Sequence, residues 1–176
     1  MITNDLKKAV EILLDNKPLV IFQKGDGEWG PRALGQRSIL FDPRKEEAKY
    51  IINNFKGREF WRPTAGTVLL EYANLYFDMG TLKESPYMSF AVNAKDKVKQ
   101  EAPAIVHVDG TCRVQTLKEK DNVNYYQLIK EFNNQTNVPI LLNTSFNLAG
   151  LPIVQYENHL SEIIERSMFK DIYIPF

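Results

Sequence analysis

Between Glu28 and Ser38 the chain reads EWGPRALGQRS, with Arg32 and Arg37 set among Gly30, Pro31 and Gly35, just after the apolar run Leu19 to Phe22. These residue types suit a loop that holds an anion. Glycine lets the backbone approach a phosphate, proline stiffens the turn, and guanidinium presents a planar fork of donors to two oxygens at once. Taken alone, a surface turn with solvated arginines is the better reading. A second polar loop changes the balance. Val138 to Leu142 is apolar and β-rich and runs into Asn143, Thr144, Ser145, Phe146 and Asn147. Small polar groups at such a strand end lie where open α/β sheets place ligands, and Asn143, Ser145 and Asn147 would share a face. A turn rich in capping residues is the plainer alternative. A third stretch, KGREFWR, carries Lys56, Arg58 and Arg62. If extended, it projects these cations to one side, where they repel unless an anion sits there; a solvated basic turn compensated by Glu59 is the competing reading.

Composition narrows the function classes. Lys plus Arg equals Asp plus Glu at 22 each, so no overall field favours nucleic acid or an anionic membrane, and any basic site is local. A length of 176 residues with 44% hydrophobic content fits one domain, residues 1–176, with a proper core. A lone cysteine, Cys112, rules out an internal disulfide or a multi-cysteine metal site, and reads as a small buried residue rather than a nucleophile. With only His107 and His159 as histidines, no metal site is expected from this chain alone. The charged, amphipathic start and the lack of a membrane-length apolar run lead us to expect a soluble, cytoplasmic protein without membrane contact.

The elements that must position these groups follow from periodicity. Leu6, Ala9, Val10, Leu13 and Leu14 predict a helix over 4–16. Strands are expected at Leu19 to Phe22 and Ser38 to Phe41, then a helix from Asp42 as cap and Pro43 as first residue to about Asn54. Further expectations are a strand Thr67 to Leu70, a helix Glu71 to Phe77, a strand Tyr87 to Val92 and a charged loop over 93–101. Ile105 to Val108 and Arg113 to Leu117 read as strands joined by the Asp109-Gly110-Thr111 turn. Tyr125, Leu128, Ile129 and Phe132 form a stripe that predicts a helix over 122–135. A last helix is expected from about Asn158 to Met168, then a strand Ile172 to Ile174.

Together, EWGPRALGQRSILFDPR, KGREFWRP, SPYMSF, PAIVHVDGTCRVQT and LLNTSFNLAGLPIV resemble, in order, the carboxy-terminal YrdC-like domain of the carbamoyltransferase family, typified by NodU nodulation enzymes and antibiotic O-carbamoyltransferases. The match runs from about residue 19 to 155, and several ordered segments are more specific than any one. The resemblance implies an α/β YrdC-like fold, a twisted mixed or largely antiparallel sheet flanked by helices around one anion-binding cleft. It implies ATP-dependent activation of carbamoyl phosphate to carbamoyl adenylate, with magnesium accompanying the nucleotide. It also implies a separate acceptor domain or subunit of the ASKHA class, usually holding iron. Distant relatives, the threonylcarbamoyl-adenylate synthases, share a Lys-x-Arg and Ser-x-Asn pattern, present here as Lys56-Gly57-Arg58 and Ser145-Phe146-Asn147. By this resemblance Lys56, Arg32, Arg62 and Arg113 are the catalytic candidates, Lys56 nearest the α-phosphate. Arg58, Asn143, Ser145, Asn147 and Arg37 are the binding candidates, with His107 and Asp109 as second choices. The rival readings are a non-catalytic nucleotide-binding or regulatory module, a threonylcarbamoyl-adenylate synthase, and an RNA-binding domain, the last disfavoured by zero net charge.

Overall fold

The computed structural model describes residues 1–25, 27–156, 159–160 and 170–175. Among these, the strands are β1 (Ile2–Thr3), β2 (Leu19–Phe22), β3 (Arg37–Phe41), β4 (Ala65–Leu69), β5 (Phe77–Asp78), β6 (Ala91–Ala94), β7 (Thr111–Leu117), β8 (Ile140–Ser145) and β9 (Ile172–Tyr173). The helices are α1 (Leu6–Leu14), α2 (Ala48–Phe55), α3 (Leu70–Tyr76), α4 (Asp96–Glu101) and α5 (Val123–Thr136). One mixed sheet runs in the order β1-β9-β2-β3-β8-β4-β7-β6-β5. Its centre, β2 to β4, is antiparallel, while β4 and β7 run parallel with Ala65 opposite Arg113.

Local chemistry explains the helix ends. Asp5 caps α1 by accepting from the Lys7 N–H at 2.9 Å, and Asn122 caps α5 by accepting from the Tyr125 N–H at 3.1 Å. Helix α5 stops at Asn137, whose φ of +59° is left-handed. Its stripe of Tyr125, Leu128, Ile129 and Phe132 is buried, and α5 packs on α1, β4 and β8. On β4, successive side chains face opposite ways. Gly66 looks toward Ile105, and a Cβ there would meet the Ile105 side chain at 2.5 Å; Thr67 looks toward Gln115 and Asn143. That second, polar side carries the loop over 28–37.

Several expectations are corrected. Helix α2 starts at Ala48, not at Asp42: the Asp42 carboxylate accepts from the Arg44 N–H at 2.9 Å as a cap would, but the chain then passes through turns over 43–47 before the helix begins. The charged stretch 93–101 holds the end of β6 and the helix α4, laced by Lys97–Glu101 at 2.6 Å and Lys99–Asp96 at 3.1 Å. Strand β6 begins only at Ala91. Residues 105–108 do not form a hairpin strand. Pro103–Ile105 is a 3-10 turn, and β7 pairs instead with β4 and β6. The polar residues 143–145 lie within β8 itself. The expected helix from Asn158 to Met168 falls outside the described residues except His159 and Leu160. No helix among the described residues is long and apolar enough to cross a membrane.

Gly35 carries a φ of +111°, and a Cβ there would sit 2.1 Å from the fully buried Tyr125 ring. Gly30 has a similar φ, +113°, but open space around it. Gly35→Ala should therefore cost about 2 to 4 kcal/mol by strain plus overpacking, and Gly30→Ala only about 1 to 2 kcal/mol by strain. Denaturant unfolding of the two variants beside the parent measures the difference.

Candidate functional site

The Lys56-Gly57-Arg58 triplet owes its shape to the way α2 ends. Gly57, at φ +63°, is left-handed; its N–H reaches the Asn54 carbonyl at 3.0 Å and the Arg58 N–H reaches the Asn53 carbonyl at 3.0 Å. This paired closure is a Schellman motif. Of the two readings of 56–62 the turn is the one found, with Glu59 paired to Arg62, and the cations are brought together by a helix terminus and the turns after it. Asn53, buried in α2, donates to the carbonyls of Phe60 and Arg62, both at 2.9 Å, and accepts from Arg58 Nε at 2.6 Å. One side chain thereby shapes the whole basic turn.

Opposite it stands the end of β8. Lys56 is only 3% exposed, and its Nζ donates to the Ser145 carbonyl, to Ser145 Oγ at 3.2 Å and to Asn147 Oδ1 at 2.9 Å. Ser145 Oγ in turn donates to Asn147 Oδ1 at 2.6 Å. Lys56, Arg58, Arg62, Ser145 and Asn147 line one cleft of about 400 Å³, with Glu59 its sole carboxylate among the described residues. Burial and the neighbouring Arg58 charge bring the Lys56 pKa down to about 7. Burial, then Arg62 and Arg113, bring Arg58 down to about 10. Arg113 is lowered by burial and by Arg32. A chain of mutual repulsion thus links Lys56, Arg58, Arg62, Arg113 and Arg32. Glu59 offsets part of it, bonding Arg62 at 2.6 Å and facing the Arg58 charge. Arg58 Nη2 and Arg113 Nε are buried without a hydrogen-bond partner among the described residues. Buried, unspent guanidinium donors are costly unless an anion completes them.

Other candidates lie elsewhere. Arg37 is fully buried; its guanidinium donates to the carbonyls of Gln23, Gln36, Gly25 and Gln155 and stacks 3.9 Å from the Phe22 ring centroid. It ties backbone segments together and presents nothing to a ligand. Asn143, 1% exposed, does not join Ser145 and Asn147. Its Nδ2 reaches Thr67 Oγ1 at 3.0 Å, Gln115 Oε1 at 3.2 Å and the Ala33 carbonyl at 3.2 Å. The alternation that puts Asn143 on the same strand face as Ser145 also carries it under the loop. His107 Nε2 faces the Thr64 carbonyl at 2.9 Å, and Asp109 accepts from the Thr111 N–H and hydroxyl at 2.9 and 2.7 Å. Those two order the turn before β7. Burial pushes the Cys112 thiol up to about 12, as suits a packed residue rather than a nucleophile.

Four contributors escape sequence reasoning. Asn53 looks like an ordinary helix residue. Gln115 and Thr67 look like ordinary strand residues, yet Gln115 Nε2 holds the Leu34 carbonyl at 3.0 Å and its Oε1 takes the Thr67 hydroxyl at 2.8 Å. Glu28 is the fourth group to emerge, a carboxylate ahead of a glycine-bearing loop whose backbone N–H groups need an acceptor.

A family model described as Carbamoyltransferase C-terminus matches residues 10–175. The nodulation protein NolO of Bradyrhizobium diazoefficiens is 42% identical over 156 residues, covering 87% of this chain but 28% of that protein. Full-length HypF, solved in a phosphate- and nucleotide-bound form, superposes with a TM-score of 0.66 over 97% of this chain and 24% of that one, at 16% identity. Sua5 of P. abyssi, solved with L-threonine, gives a TM-score of 0.64 over 97% of this chain and 46% of that one, at 13% identity. The last two show the YrdC-like fold that the sequence led us to expect. The chain spans about a quarter of the length of NolO and the similar curated relatives. With the family model spanning nearly its whole length and NolO matching most of it, the chain belongs to the carbamoyltransferase family, in its C-terminal part.

Proposed function

We propose that this chain activates carbamoyl phosphate with ATP to give carbamoyl adenylate, as the activating half of an O-carbamoyltransferase. The observation that carries the reading is the pair of buried, unspent donors, Arg58 Nη2 on the cleft that holds Lys56 and Arg113 Nε, near enough to Arg58 for their charges to repel. Both substrates are polyanions. Water first cleaves the carbamoyl phosphate, releasing phosphate and leaving carbamate. A carbamate oxygen, already anionic, then attacks the α-phosphorus of ATP; the bond from that phosphorus to the bridging oxygen breaks and pyrophosphate leaves. No general base is required for the second step. Its demand is for cations fixed in advance around the phosphates, where pre-set charge does most of the work. Lys56, Arg58, Arg62, Arg113 and Arg32 meet that demand, with Ser145 and Asn147 as hydrogen-bonding partners beside Lys56.

The donor set of the cleft is cationic, and its carboxylate Glu59 is engaged by Arg62. A magnesium ion would therefore be held by the nucleotide phosphates and would screen their charge. Transfer of the carbamoyl group to a final hydroxyl falls to an ASKHA-class domain or subunit, the site of any iron, in keeping with relatives much longer than this chain. The test is pyrophosphate release from ATP and magnesium, with carbamoyl phosphate present or absent, and mass detection of carbamoyl adenylate. Release that requires carbamoyl phosphate supports the reading. Release with bicarbonate and threonine instead would move it to the synthase branch, and nucleotide binding without release in either case would favour a half-enzyme that needs its acceptor domain, or a binding module.

Two quantitative outcomes follow. Arg58→Ala and Arg113→Ala should each weaken pyrophosphate binding about 10- to 100-fold in calorimetry, with thermal unfolding midpoints held or raised, since each removes an uncompensated buried charge. Lys56, lowered to about 7, carries its proton below that pH and loses it above. Sulfate does not titrate near neutrality, so its affinity should fall as pH rises from about 6 to about 9, with proton uptake on binding at the upper end; Lys56→Gln should bind weakly with no such slope.

A further inference from the structure

The loop over 28–37 already contains an anion, and it is the protein's own. Glu28 Oε1 accepts from the Leu34 N–H at 2.6 Å and Oε2 from the Arg37 N–H at 3.0 Å, so the side chain that opens the loop closes it across nine residue positions. The turns at Gly30 and Gly35 let the backbone bend around that carboxylate. Outside it, Gln115 and Asn143 hold the carbonyls of Leu34 and Ala33, and Gln23 holds that of Gly35 at 2.8 Å. Arg32 lies at the exposed rim of the closed loop, near enough to Arg113 for their charges to repel. Two guanidinium groups do not stay close unaided. A restraint must hold the loop that bears one of them.

We propose that Glu28 is a positioning residue: by binding the Leu34 and Arg37 N–H groups inside the loop, its carboxylate keeps Arg32 beside Arg113, the arginine that neighbours Arg58 of the cleft. This inference rests on the reading of that cleft as a phosphate site. Glu28 itself touches no substrate. Its effect on binding passes entirely through Arg32.

A double-mutant cycle tests this, with pyrophosphate as probe and Glu28→Gln, Arg32→Ala and their combination as variants. Gln keeps the shape but puts an amide N–H against backbone N–H groups. Each single variant should lose about 10-fold in affinity, and the double variant no more than either alone. Amide hydrogen exchange supplies a reading without ligand: in Glu28→Gln the Leu34 and Arg37 amides should lose protection while those of Ile39 to Phe41 keep theirs. Glu28→Asp, which retains the charge, should recover part of both effects, and it replaces Gln in the cycle if that variant fails to fold. Additive losses in the cycle, or protected Leu34 and Arg37 amides in Glu28→Gln, would overturn the assignment. If the parent protein binds no pyrophosphate, the phosphate-site reading falls, and unchanged exchange would reject the Glu28 clamp separately.

Discussion

Everything at this site depends on keeping like charges together in a partly dry place. Lys56, Arg58 and Arg113 each have lowered pKa values, with burial as the first cause and a neighbouring cation as the second. Left to themselves such groups swing apart into water. Rigid elements prevent it. Lys56 and Arg58 are fixed by the closure of α2 through Gly57, Arg113 is carried by β7 between β4 and β6, and Arg32 rides on the loop tied to the sheet. The core beneath, where β4 and β8 meet α5, holds those elements in place.

That core includes an unusual polar layer. Thr67, Gln115 and Asn143 come from three adjacent strands, are all buried, and bond one another as well as the loop carbonyls of Ala33 and Leu34. A buried polar group is costly unless partnered, so this layer accepts only the loop conformation that supplies those carbonyls. Apolar packing alone would hold the loop down without fixing its path. The polar layer fixes the path, and Tyr125 against Gly35 fixes its depth.

Much of this was legible from residue order. The helices at 6–14 and 123–136 and the strand at 19–22 follow from their apolar stripes, and the cationic triplet and the Ser-x-Asn pair stand out by type. The failures have physical causes. Asp42 before Pro43 is a good helix start by local rule, and Asp42 does accept from the Arg44 N–H, but the chain passes through turns over 43–47 before α2 begins. Residues 105–108 are apolar and β-rich, yet Pro103 starts a 3-10 turn and Thr64 Oγ1 binds the Ala104 carbonyl at 2.5 Å. Arg37 has the type and spacing of a ligand-binding arginine, and only the fold reveals that four backbone carbonyls surround it. Alternation put Asn143 on a face with Ser145 correctly, but could not show that the loop covers one and not the other. Long-range partners of polar side chains are what one-dimensional patterns do not encode.

Lys56 has a consequence of a different kind. Its ammonium group faces three oxygens of residues 145 and 147, one for each of its N–H bonds. An anion that approaches Lys56 does not meet a vacant charge; it competes with oxygens the protein already provides. Binding there is an exchange of partners, and chloride or a single carboxylate offers too few acceptors in the right arrangement to win it. The cleft therefore selects by the number and placement of a ligand's oxygens as well as by their charge.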